Sequence, residues 1–107
     1  MINLPEKTLS QITQVIASFP AIQTAYLYGS RARGDHKPTS DIDIAIITDG
    51  TNQHLRHDLY AKLEEDIITA LKFDILDLAT TANPALLANI ERDKIQLYPP
   101  IHAILLK

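Results

Sequence analysis

The chain has 107 residues, 46% hydrophobic and 21% charged, enough for one globular domain with one core but marginal for a two-lobed enzyme. Its 13 acidic and 10 basic residues give a formal net charge of −3 and a pI near 5.7, which argues against a general polyanion-binding surface, so direct nucleic-acid binding is not expected. There is no cysteine, hence no disulfide scaffold and no thiolate metal site; with no long apolar run and no basic-then-hydrophobic N-terminus, the expectation is a cytoplasmic protein without a membrane span.

Taken in chain order, Leu9, Ile12, Val15, Ile16 and Phe19 recur at three- and four-residue spacing between Pro5 and Pro20, which predicts a helix over about residues 6–18. "IQTAYLYG" reads as a first strand, rich in β-branched and aromatic residues and ended by Gly29. Tyr26 and Tyr28 alternate along it and are assigned to core packing. Ser30 to Arg33 reads as a short helical turn, "GDHKPTS" as a loop, and "DIDIAIIT" as a second strand. Asp49-Gly50 makes a turn. Leu55, Leu59, Leu63, Ile67 and Ile68 then form a helical stripe, with Lys62, Glu64 and Glu65 on the opposite face. "FDILDLA" is the third strand, Asn83-Pro84 opens a helix carrying Leu86, Leu87 and Ile90, and "IQLY" is a short edge strand. No repeat, linker or low-complexity segment interrupts this order. The succession α-β-β-α-β-α-β predicts an α/β (α+β) fold, a small mixed sheet flanked by helices, in a single domain spanning residues 1–107.

The chemistry concentrates in "YLYGSRARGDHKPTSDIDIAI", Tyr26 to Ile46. Side chains alternate along a strand, so Asp41 and Asp43 share one face while Ile42 and Ile44 enter the core. At roughly 5 Å and an effective dielectric near 20, two such carboxylates repel by about 3 kcal/mol, an arrangement that calls for a cation. Magnesium takes oxygen ligands from one or two carboxylates and completes its shell with water and substrate phosphates. Upstream, Gly29 lets a phosphate approach the backbone, and Ser30 at the start of a helical turn offers a hydroxyl and free amides to an anion. Arg31 and Arg33 are either phosphate ligands or solvated surface charges. Setting aside Asp41, Asp43 and Asp74 leaves acids and bases in balance, as removing any other three acids would.

Gly29-Ser30, ten intervening residues and then Asp41-Ile42-Asp43 resembles the signature of the DNA polymerase β-like nucleotidyltransferase superfamily. The short chain, "GSRARGD", "SDIDIAI" and "IERDKIQLY" resemble its minimal nucleotidyltransferase (MNT) branch, and the likeness runs from about Tyr26 to Tyr98. The resemblance implies a nucleotidyltransferase fold and a third carboxylate in "FDILDL". Asp74 and Asp77 have opposite parity there; Asp74 matches the family's position, with Asp77 as the fallback. It further implies that Asp41, Asp43 and Asp74 bind two magnesium ions, that ATP is the nucleotide donor, and that AMP passes to an acceptor hydroxyl as pyrophosphate departs.

The same resemblance implies a partner, because stand-alone MNT domains are typically encoded beside a toxin of the HEPN (higher eukaryotes and prokaryotes nucleotide-binding) class. The expected function is that of an antitoxin that adenylylates a tyrosine of that toxin. Two alternatives stand beside it: an antitoxin that acts by binding alone, and a nucleotidyltransferase for a small molecule or an RNA end. The apolar tail Ile101, Ile104, Leu105 and Leu106 packs either on a partner, on a second copy of the chain, or within the molecule. His54 and His57, three apart on a helix without a third ligand, are read as solvent-facing. His36 lies in the active-site loop, within reach of a nucleotide, and the charged face at Glu64, Glu65 and Asp66 is assigned no chemistry.

Overall fold

The computed structural model describes residues 4–100 of the chain. Its elements follow the predicted order: α1 Glu6–Ala17, β1 Ile22–Tyr28, α2 Ser30–Arg33, β2 Ile42–Thr48, α3 Leu55–Asp66, β3 Phe73–Asp77, a 3₁₀ turn Leu78–Thr80, α4 Pro84–Asp93 and β4 Ile95–Tyr98. The four strands make one mixed sheet in the order β3-β2-β1-β4. β1 runs antiparallel to both β2 and β4, whereas β2 and β3 are parallel. A parallel pair needs a crossover, and α3 provides it.

One face of the sheet carries the core. Ile42, Ile44 and Ile46 of β2 are completely buried there, each contributing about 1.5–3 kcal/mol relative to an exposed side chain. Leu27, Phe73, Ile75 and Leu97 extend this face across the other strands, and Ile12, Val15 and Ile16 of α1 and Leu55, Leu59 and Leu63 of α3 close over it. The predicted α3 stripe holds through Ile67, whose N–H still bonds the Leu63 carbonyl. It ends there: the backbone turns extended at Ile67, and Ile68 points fully into solvent.

Two readings need correcting on this face. Ala25 and Leu27 take the buried positions of β1, and Tyr26 and Tyr28, expected in the core, are half-buried on the opposite face. Lys94 lies over the Tyr26 ring, 4.7 Å from its centroid. Asp41, expected as the first residue of the second strand, stands one position before it. At the far end, the Asn83 side chain accepts from the Ala85 and Leu86 amides and caps α4, with Pro84 at its first position. The apolar tail from Ile101 to Leu106 lies outside the described residues. No helix among those described is long and apolar enough to cross a membrane.

Candidate active site

Strand direction decides which residues meet. Because β1 and β2 are antiparallel, the end of β1 lies beside the start of β2; because β2 and β3 are parallel, the start of β3 lies there too. The glycine-serine turn, the Asp-x-Asp pair and Asp74 therefore converge at one end of the sheet. In register, Tyr28 faces Asp43 and Asp43 faces Asp74, so the three form a row across the non-core face. Asp41 is exposed two residues upstream of Asp43.

The electrostatics of this row follow from its placement. Half-burial, then the neighbouring charges of Asp74 and Asp41, push the Asp43 carboxyl up to about 6, against a partial counter-effect from Arg33 and Arg31. Tyr28 responds to the same surroundings: burial, then Asp74 and Asp43, push its phenol up to about 12. The donor set is oxygen only and its negative charges press on one another, which suits a hard divalent cation. Among the described residues, no three His, Cys, Asp or Glu side chains are gathered closely enough to enclose an ion by themselves. Water and substrate phosphate would have to complete any such shell.

Gly29 sits with φ +74°, a conformation open to glycine, and a Cβ there would collide with Asp43 Oδ2. The close approach of the turn to the carboxylate thus depends on the missing side chain. Behind it, the Gly29 carbonyl accepts from the Ala32 and Arg33 amides and starts α2, which Gly34 ends in the left-handed region at φ 92°.

The two arginines diverge. Arg31 is neither a solvated charge nor directed outward: it is 5% exposed, and its Nε donates to the Ser40 carbonyl at 3.0 Å while a terminal nitrogen reaches the Pro38 carbonyl at 3.4 Å. It fastens the loop that delivers Asp41. Arg33 remains exposed and donates to Asp35 at 3.0 Å and to Asp93, sixty positions away, at 3.1 Å. Asp93 also takes two bonds from Arg92, and these contacts with Arg92 and then Arg33 hold its carboxyl at about 2. Sequence reasoning passed over Asp93; an acidic residue after Arg92 signals an ion pair, but not one that crosses the molecule to Arg33.

Asp77 is accounted for separately. Its carboxylate accepts from the Ala79 amide and caps the 3₁₀ turn, and its register partner is Ile46, a core residue. Asp74 is the one of the two that joins the row. His36 is half-buried in the loop, with its Nδ1 shielded and without a hydrogen-bond partner among the described residues, and His54 and His57 are exposed as expected.

A four-stranded mixed sheet that places a glycine-serine turn beside an Asp-x-Asp pair and a third carboxylate defines a nucleotidyltransferase. Residues 10–100 match the family described as Polymerase beta, Nucleotidyltransferase, and the chain belongs to it. It is 33% identical over 98 residues, 83% of this chain and 97% of the relative, to a Methanocaldococcus jannaschii protein provisionally named a protein adenylyltransferase. Among solved structures it resembles a toxin-antitoxin crystallised with AMP-PNP, at 27% identity and a TM-score of 0.70, covering 92% of this chain and 78% of that one. It also shares the fold of the MNT antitoxin complexed with a tri-AMPylated HEPN toxin from Shewanella oneidensis, at 24% identity and a TM-score of 0.65, covering 94% and 77%.

Proposed function

We propose that this chain, acting as a single minimal nucleotidyltransferase domain over residues 1–107, transfers AMP from ATP to a tyrosine hydroxyl of a cognate HEPN-class toxin and so neutralises it. The observation that carries this reading is the Tyr28–Asp43–Asp74 row with the Gly29 turn packed against Asp43. It is supported by the adenylyltransferase name of the archaeal relative and by the toxin-antitoxin structure holding AMP-PNP, an ATP analogue. ATP as donor fits the cytoplasm as the site of action.

In this reading Gly29, Ser30 and Arg33 receive the triphosphate, and Arg31 keeps the loop in place. Asp41, Asp43 and Asp74 would hold two magnesium ions, which when bound stabilise the attacking and leaving oxygens of an in-line displacement. The acceptor phenol oxygen forms a bond to the α-phosphorus as the bond to the bridging oxygen breaks, and pyrophosphate leaves. A free phenol has a pKa of about 10, so its proton must be taken up, and in this reading the Asp74 carboxylate on the edge strand β3 receives it.

The test is the intact mass of the HEPN protein encoded beside this one after incubation with it, ATP and magnesium, next to a control with Asp41→Asn and Asp43→Asn. A gain of one or more AMP units with the intact site alone is the expected result. A stable, silencing complex without any mass gain would instead establish inhibition by binding.

A further inference from the structure

Between α3 and the outer strand β3 lies a cleft of about 200 Å³ lined by Arg56, His57 and Tyr60 on one side and Phe73, Asp74 and Ile75 on the other. Nothing in the reading above uses its α3 wall. We propose that this cleft is the acceptor subsite, in which Tyr60 and Arg56 receive the partner's tyrosine and its flanking peptide; this inference rests on the adenylyl-transfer reading.

Three observations lead there. The first is direction. An in-line displacement puts the entering oxygen and the departing pyrophosphate on opposite sides of the α-phosphorus. The phosphate-binding turn follows β1, the Asp-x-Asp pair heads β2 and Asp74 heads β3, so the reaction axis runs across the strand order. With the leaving group anchored at β1, the acceptor enters from β3, and the cleft opens on that side with Asp74 in its wall.

The second is access. β3 is an edge strand, so the cleft can be reached by a group carried on another protein. Tyr60 is 37% exposed, one of the few large hydrophobic side chains among the described residues left so open. The third is chemical make-up. The Tyr60 hydroxyl is hydrogen-bonded to Glu64 one turn along α3, and the side chain lines the cleft together with Asp74, within electrostatic reach of Asp41. Aromatic rings pack edge-to-face or offset, which suits a phenol whose hydroxyl must be directed inward. Arg56 and His57 place basic groups at the mouth of an otherwise acidic site, and the Arg56 fork matches a carbonyl or carboxylate flanking the acceptor. The step itself is the one above: the phenol oxygen bonds to the α-phosphorus, pyrophosphate leaves, and the phenol proton passes to Asp74.

The experiment compares Tyr60→Ala, Tyr60→Phe and Arg56→Ala with the unsubstituted protein, measuring AMP transfer to the HEPN protein encoded beside it and, separately, binding of magnesium with AMP-PNP by calorimetry. Tyr60→Ala and Arg56→Ala should raise the KM for the partner by about tenfold while AMP-PNP affinity stays within about twofold, and Tyr60→Phe should restore most of the loss. An unchanged partner KM, or a matching fall in AMP-PNP affinity, overturns the subsite and leaves adenylyl transfer standing. No transfer by the unsubstituted protein overturns the functional reading and this subsite with it.

Discussion

In the proposed reading, Asp43 pairs activity with a stability cost. Its folded-state pKa of about 6 lies above the ordinary 3.8, so the folded chain holds this proton more tightly than the unfolded chain does. The destabilisation is therefore absent below the ordinary value and fully present once pH has risen past the folded one. Asp43→Asn removes the charge and should melt at a higher temperature than the unsubstituted apo-protein at neutral pH, the gap closing as pH falls toward 3.8. Melting curves across that range check it; an equal gap at every pH would assign the effect to packing. The same substitution should abolish transfer, so one position yields a more stable, inactive protein.

Parity along β3 separates two carboxylates that composition cannot distinguish. Asp74→Asn should lower transfer by on the order of a hundredfold or more, as expected for a group that takes a proton and helps bind metal. Asp77→Asn keeps an oxygen for the Ala79 amide and should stay near the starting rate and melting point. Rates and melts of the two purified variants give the comparison; equal losses of activity would return Asp77 to the site.

At the scale of elements, the loop between α2 and β2 depends on a single buried cation. Removing the Arg31 side chain leaves the Ser40 and Pro38 carbonyls without their guanidinium, a cost of about 1–3 kcal/mol by the usual penalty for orphaned buried groups. Arg31→Ala should lower the melting temperature and expose residues 34–40 to limited proteolysis, read by mass spectrometry of the fragments. Arg31→Lys lacks the planar fork and should rescue it only in part.

These elements were readable in the sequence because their signals are local. The stripe of Ile12, Val15 and Ile16, the cap at Asn83 and the glycine after Tyr28 each act within a few residues. What stayed hidden depends on contacts between distant segments. Alternation showed that Tyr26 and Tyr28 share a face, but only the covering helices decide which face is the core. Arg31 is buried because the loop folds back over it, and Arg33 meets Asp93 because α4 returns to the sheet end. Strand parity set Asp41 and Asp43 on one face without knowledge of register, and the family resemblance singled out Asp74 over Asp77; the Tyr28 contribution needed the register itself.

For the molecule as a whole, ligand binding and folding share one free energy. A complex of magnesium and AMP-PNP bound only by the folded chain adds about 2.7 kcal/mol of stability at a hundredfold excess over Kd, a rise on the order of ten degrees in a domain of this size. Thermal shift should show that rise for the unsubstituted protein, little of it with AMP-PNP plus EDTA, and little of it in Asp41→Asn/Asp43→Asn. An undiminished shift in the double variant would place the nucleotide elsewhere.

The parallel pairing of β2 with β3 makes the site a reporter of α3 and β3 docking. β1 and β2 are joined by a short excursion and bring Gly29 to Asp43 through near-neighbour pairing. Asp74 reaches them only after α3 has crossed the sheet and docked its leucines. Contacts that close longer stretches of chain form later on average. A copy in which α3 and β3 have not docked therefore carries the paired aspartates and the turn but not the third carboxylate, and the cleft beside α3 has no second wall. In the proposed reading such a copy cannot transfer AMP, so catalytic competence waits on the docking of α3 and β3.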